Sequence, residues 1–284
     1  EIGFMVKHIS DDGFLRLQPL GGFDPRALFQ QRVSVHARDG RVYRGVLAPA
    51  AKPAHLLTPA ESGKAPQLAE LYVDLALPGE KVKAAVEVGD MVTLDRTTEE
   101  IGDCVIGKAM DDRLSVFIMI EALRALRSTD CDIYAVATTQ EEVGLRGATT
   151  SAYAIDPDIS IALDVTLAMD LPGAAGEDQV TKLGAGTAIK LMDSSLICHP
   201  KLVRAFRDTA EAEQIPYQLE ILSRGGTDAG AMQRVRGGSA AFTLSTPTRY
   251  VHTVNEMVHK TDVQAGIDVL ARVLERAHTI DTTL

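Results

Sequence analysis

The sequence predicts an α/β protein: a mostly parallel sheet with helices on both faces, preceded by a small all-β module. Two observations carry this. From about residue 105 onward, short β-rich apolar runs alternate with longer stretches whose apolar residues recur at helical spacing. Before that point the runs are all short and β-rich, and Gly, Pro and Asp separate them. Strands that alternate with helices are joined by crossovers, which favour parallel neighbours.

The β module covers residues 4–95. Its runs are "IGFMVKHI", "GFLRLQPL", "RVSVHARDGRVYRGVLAP", "ELYVDLAL" and "DMVTLD". Asp39-Gly40 falls between two alternating runs, which predicts a hairpin with a type I′ turn. The stretch "APAAKPAHLLTPAESGKAPQ" reads as a long loop. In the second part, "RLSVFIMIEALRALR" and "HPKLVRAFRDTAEAEQI" are amphipathic helices, "DAGAMQRV" is a short one, and "DVQAGIDVLARVLERAHTI" closes the chain as a fourth. The strands are "DIYAVATT", "ISIALDV", "AIKLMD", "YQLEIL" and "SAAFTLS".

Composition narrows the function. The formal net charge of −10 over 284 residues, with no Lys/Arg-rich run, argues against a nucleic-acid or anionic-membrane partner. The longest apolar stretches, such as "LSVFIMIEAL", are too short to span a bilayer. Cys104, Cys131 and Cys198 lack metal-type spacing, and are expected to be buried thiols of a cytoplasmic protein.

Ligands of open α/β sheets bind beyond the carboxyl ends of the strands, so acids and histidines there are candidates. Glu141 and Glu142 follow "DIYAVATT", Asp164 ends "ISIALD", His252 follows "SAAFTLS", and Asp111 and Asp112 precede a helix. Singly, each has a bland explanation; an Asp pair before a helix is commonly a cap. Together, carboxylates and one imidazole without thiolates suit Zn²⁺, Co²⁺ or Mn²⁺.

With those residues placed, the chain resembles the tetrahedral aminopeptidases, the two-metal family of glutamyl and deblocking aminopeptidases whose relatives are sometimes labelled endoglucanases. The matching segments are "IGFMVKHISDDGFLRLQPLGG", "VIGKAMDDR", "ATTQEEVGLRGA", "ALDVTLAMDLPG", "RGGTDAGAM" and "STPTRYVHTVNEMV", in the family's order and almost end to end. The resemblance implies a metal-dependent aminopeptidase with two divalent ions per subunit, zinc or cobalt, acting on peptides. Asp111 would bridge the ions and Asp112 would carry the peptide bond that orients it. Glu142 and His252 would complete the first site, Asp164 would bind the second ion, and Glu141 would be the general base. The segment Arg224–Gly230 would line the cleft.

The family also has a His-x-Asp-Glu segment directly before "IGFM", whose histidine binds the second ion. Here the sequence opens at Glu1, so the second site is expected to be incomplete, with Asp111 and Asp164 alone, and activity low. Residues 4–95 match the family's inserted dimerisation domain, leaving 96–284 as the catalytic α/β domain without its N-terminal part. Self-association from dimers to dodecamers follows from the resemblance. The rival readings are a glycoside hydrolase and a non-catalytic peptide-binding subunit. No Trp and 5% aromatic residues count against a sugar cleft.

Overall fold

The structure, a computed structural model, describes every residue except 51, 53, 57, 59–66, 175, 177, 178 and 284. Part of the expected loop at 48–67 therefore lies outside the described residues. The chain divides into two compact units, one built chiefly from Ile2–Thr97, the other from Thr98–Val251 and Asn255–Leu284.

The first unit is a closed antiparallel barrel. Its strands are β1 (Gly3–Ile9), β2 (Leu15–Leu20), β3 (Gln31–His36), β4 (Val42–Pro49), β5 (Leu71–Asp74) and β6 (Met91–Leu94), and they close in the order β1-β2-β5-β4-β3-β6. Closure removes the edges at which strands would aggregate. The interior is filled by Phe4, Leu15, Val33, Val35, Leu47, Val73 and Val92, joined by Val82 of the helix α1 (Gly79–Ala85). The β3–β4 turn departs from the expected type I′, which needs positive φ at both central residues. Here only Gly40 is left-handed (φ 84°), because Asp39 accepts the Arg41 backbone N–H at 2.9 Å and so settles the turn without a strained φ of its own.

The second unit holds a seven-stranded sheet and most of the helices. Its strands are β7 (Glu99–Ile101), β8 (Cys104–Gly107), β9 (Ile159–Leu167), β10 (Thr187–Met192), β11 (Tyr217–Ile221), β12 (Ala240–Arg249) and β13 (Glu256–His259). They run β11-β10-β12-β13-β8-β7, with β9 also paired to β12. The sheet is mixed, which corrects the expected mostly parallel one: β10–β11 and β9–β12 are parallel, and the other pairs are antiparallel. For β12–β13 the cause is connection length. Only six residues separate β12 from β13, too few for a crossover, so the chain must turn straight back.

The helices are α2 (Met110–Ala125), α3 (Arg146–Ile155), α4 (Pro200–Ala212), α5 (Asp228–Met232) and α6 (Lys260–Leu274). Ile118 and Ala122 of α2, Leu202, Phe206 and Ala210 of α4, and Ile267, Leu270 and Val273 of α6 share one core with Ile189, Phe242 and Leu244 of the sheet. Phe206 stacks on Phe242 with ring centroids 4.1 Å apart. Each of the Leu, Ile, Val and Phe side chains contributes about 1.5–3 kcal/mol by leaving water.

The expected strand over "DIYAVATT" is absent. Residues 132–139 pair with no strand among the described residues, and Tyr134 and Val136 are exposed. A β-rich composition becomes a strand only where a neighbour completes the ladder, and this segment has none there. The thiols also differ from expectation: Cys198 is buried, but Cys104 and Cys131 are half-buried, and none is paired. Among the described residues no helix is long and apolar enough to cross a membrane.

Candidate metal centre

Asp111 and Asp112 stand in a distorted turn between β8 and the regular part of α2. Ala109 is left-handed (φ 58°), Asp111 and Asp112 lie outside helical φ/ψ, and the peptide bond between them is cis. The Asp111 N–H donates to the Glu256 carboxylate on β13 at 3.1 Å. Both residues are buried, so this charge-assisted bond fixes the turn firmly.

Glu141 and Glu142 sit on a single 3₁₀ turn, Glu141–Val143. Left-handed residues flank it on both sides: Gln140 (φ 60°), Gly144 (φ 124°) and Leu145 (φ 55°). Backbone bonds close the loop. Gly144 and Leu145 donate to the Glu141 carbonyl at 3.0 and 2.9 Å, and Gly147 donates to the Thr139 carbonyl at 2.9 Å. A Cβ at Gly147 would stand 2.4 Å from the Thr139 nitrogen, so only glycine allows that approach.

Asp164 lies within β9 rather than at its end, since the strand continues to Leu167 beside β12; Asp164 stands opposite Ser245. One of its carboxylate oxygens accepts the Val165 N–H at 2.7 Å. His252 occupies the turn between β12 and β13 with a left-handed φ of 62°.

These residues fall into two groups that could each hold a cation. One ligand atom from each of Asp111, Glu142 and His252 lies within 4.8 Å of the others, and the same holds for Asp111, Asp112 and Asp164. Asp111 belongs to both. Asp112 thus stands where Asp111 and Asp164 alone were expected. Glu141 belongs to neither.

The electrostatics favour a bound cation. Burial, and then the neighbouring Asp111 and Glu141, push the Asp112 carboxyl well above its usual range; burial, Asp112 and Asp111 do the same to Asp164. Glu141 is lifted to about 7, first by burial and then by Glu142, Asp228 and Asp111. One oxygen of Asp112 is buried with no hydrogen-bond partner among the described residues. Crowded carboxylates of this kind stay ionised only beside cations, and a carboxylate and imidazole donor set fits Zn²⁺, Co²⁺ or Mn²⁺.

A further acid had no role legible in sequence. Asp228, the first residue of α5, accepts from Thr138 Oγ1 at 2.5 Å and lies close enough to raise both Glu141 and Asp112. The "GGTDAG" stretch advertised a cleft-lining loop, but nothing in it singled out the aspartate.

Comparison with known proteins decides the family. Residues 1–269 match the M42 glutamyl aminopeptidase family. The chain belongs to that family. Its relatives include the lysyl aminopeptidase of Pyrococcus furiosus, 35% identical, with all of this chain and 81% of that protein aligned. An aminopeptidase from the archaeon Desulfurococcus kamchatkensis superposes with a TM-score of 0.93 at 42% identity, over all of this chain and 80% of that one. The TET1 peptidase of Pyrococcus horikoshii, described as assembling into a tetrahedron or a large octahedral shell, superposes at 0.82 and 30% identity, over 97% of this chain and 80% of that one. M42 peptidases are metal-dependent, in keeping with the two acidic groups.

Proposed function

We propose that this chain is a metal-dependent aminopeptidase that removes N-terminal residues from peptides by way of an activated water, with Glu141 as general base. One observation carries the reading: Asp111 is shared by two ligand-competent groups while Glu141 stands outside both. Asp111, Glu142 and His252 would hold one ion; Asp111 and Asp164, with Asp112 beside them, would hold the other, and more weakly. When bound, such ions polarise a scissile carbonyl and acidify water between them.

The protein's own part is proton handling. Glu141 takes the proton from the attacking water and returns it to the leaving amine, a base in one step and an acid in the next. A carboxylate with both oxygens committed to a cation could not do this as well. That division of labour accounts for two adjacent glutamates: Glu142 holds charge and Glu141 moves protons. The 3₁₀ turn keeps the two backbones rigidly together.

By the same reading the barrel of residues 4–95 is the dimerisation domain of 96–284, through which dimers build larger shells, and the protein works in the cytoplasm. The assembly of the Pyrococcus horikoshii relative supports the self-association alone. The test of function is chelator-sensitive release of chromophore from aminoacyl anilides, beside a soluble cellulose control. Cellulose cleavage without anilide turnover would assign the site to glycosides, and metal-tight binding of peptides without turnover would make the chain a binding subunit.

A further inference from the structure

The catalytic reading leaves Asp228 unused. Its surroundings are built rather than accidental. The loop before it is held by Thr227, whose hydroxyl lies 2.8 Å from that of Thr243 and 3.4 Å from Asp193. Asp193 in turn binds the Ser195 N–H and hydroxyl, both at 2.8 Å, and a Cβ on Gly230 would come 2.2 Å from that hydroxyl. The packing therefore fixes α5 and its first residue in place.

Within that frame one Asp228 oxygen takes the short bond from Thr138, and the other is buried with no hydrogen-bond partner among the described residues. A buried carboxylate oxygen without a donor is costly, so it marks a position where a donor belongs. The donor is not one of the two proposed metal ions, because Asp228 is in neither ligand group. Nor does that oxygen cap its own helix, since no backbone N–H of α5 donates to it.

Charge points to the nature of the donor. Asp111, Asp112, Glu141, Glu142, Asp164 and Asp228 are six carboxylates, while two divalent ions bring only four positive charges. Two negative charges then remain, and a further cation beside them would offset one. In a peptide cut at its first bond, the only cation common to every substrate is the α-ammonium, whose nitrogen lies about 2.5 Å from the carbonyl carbon under attack. It must bind close to Glu141, where Asp228 stands.

We propose that Asp228, oriented by Thr138, binds the α-ammonium of the substrate and so restricts cleavage to free N-termini. The inference rests on the aminopeptidase reading above. It makes Asp228 a substrate-binding residue and Thr138 a positioning residue.

The test uses the full chain loaded with Zn²⁺, as wild type, Asp228→Asn and Thr138→Val. Calorimetry compares leucine hydroxamate with its des-amino counterpart, which differ only in the amine. The wild type is expected to prefer the amine about 10–100-fold, the range of a charged hydrogen bond. Asp228→Asn should shrink that preference to about threefold or less with zinc content unchanged, and Thr138→Val should weaken it partway. A preference that survives Asp228→Asn overturns the proposal. So does an equal loss for both ligands, which means general damage to the cleft, or a loss confined to lysyl over leucyl anilides, which assigns Asp228 to the side chain. If the wild type prefers the amine yet releases no anilide, the peptidase reading fails and amine recognition stands. If it shows no preference, amine recognition fails whatever the turnover.

Discussion

Removing metal from this protein should make it less stable as pH rises through neutrality. Glu141 has an ordinary value of 4.5 and stands at about 7 in the folded chain. Between those values the folded state holds a proton that the unfolded state has released, so unfolding is favoured as pH increases. The full displacement corresponds to about 3.4 kcal/mol; Glu141 keeps some exposure, which reduces this to about 1–2 kcal/mol. Asp112, Asp164 and Asp228 are raised too and act in the same direction. The exposed acids Asp11, Asp24, Asp39, Glu100 and Asp281 are lowered, and their contribution is already complete by about pH 5. In a chelating buffer, calorimetry from about pH 5 to about pH 8 should therefore show Tm falling by roughly 3–6 °C. Zn²⁺ should restore it, by more at higher pH, because only ionised carboxylates bind the ion. Glu141→Gln should flatten the fall. A chelated protein whose Tm holds or climbs over this interval, or a slope undiminished in Glu141→Gln, refutes the reasoning.

Two further outcomes follow from packing. Gly147→Ala forces the 139–147 loop apart, which should cost about 1–3 kcal/mol in denaturant unfolding and weaken Zn²⁺ binding at least tenfold, whereas Gly237→Ala, with nothing within 4 Å, should do neither. Lys190→Met removes the partner of Glu220, fully buried at 2.5 Å, and should cost about 3–5 kcal/mol, while Lys190→Met with Glu220→Leu should recover most of it.

What the sequence disclosed follows from the range of the physics involved. Helices α2, α4 and α6 and strands β9 to β12 were legible because their periodicity is local. The type of the Asp39-Gly40 turn was not, since the Asp39–Arg41 bond competes with the generic preference. Sheet direction was missed because it depends on which segments pair rather than on the pattern within any one: β12 turns straight back into β13, and β10 runs antiparallel to β12 across a long connection. The strand at 132–139 failed because pairing is a property of two segments. Asp111, Glu142, Asp164 and His252 became candidates through motifs in family order, but the proximity of Asp112 to them and the buried oxygen of Asp228 are properties of the folded chain alone.

The central claim is that Glu141 moves protons without holding a cation. Measuring Zn²⁺ stoichiometry and anilide turnover together in Glu141→Gln tests it most directly. The account predicts bound zinc equal to wild type and turnover reduced about 10²–10⁴-fold. Lost zinc, or turnover within a few fold of wild type, contradicts it.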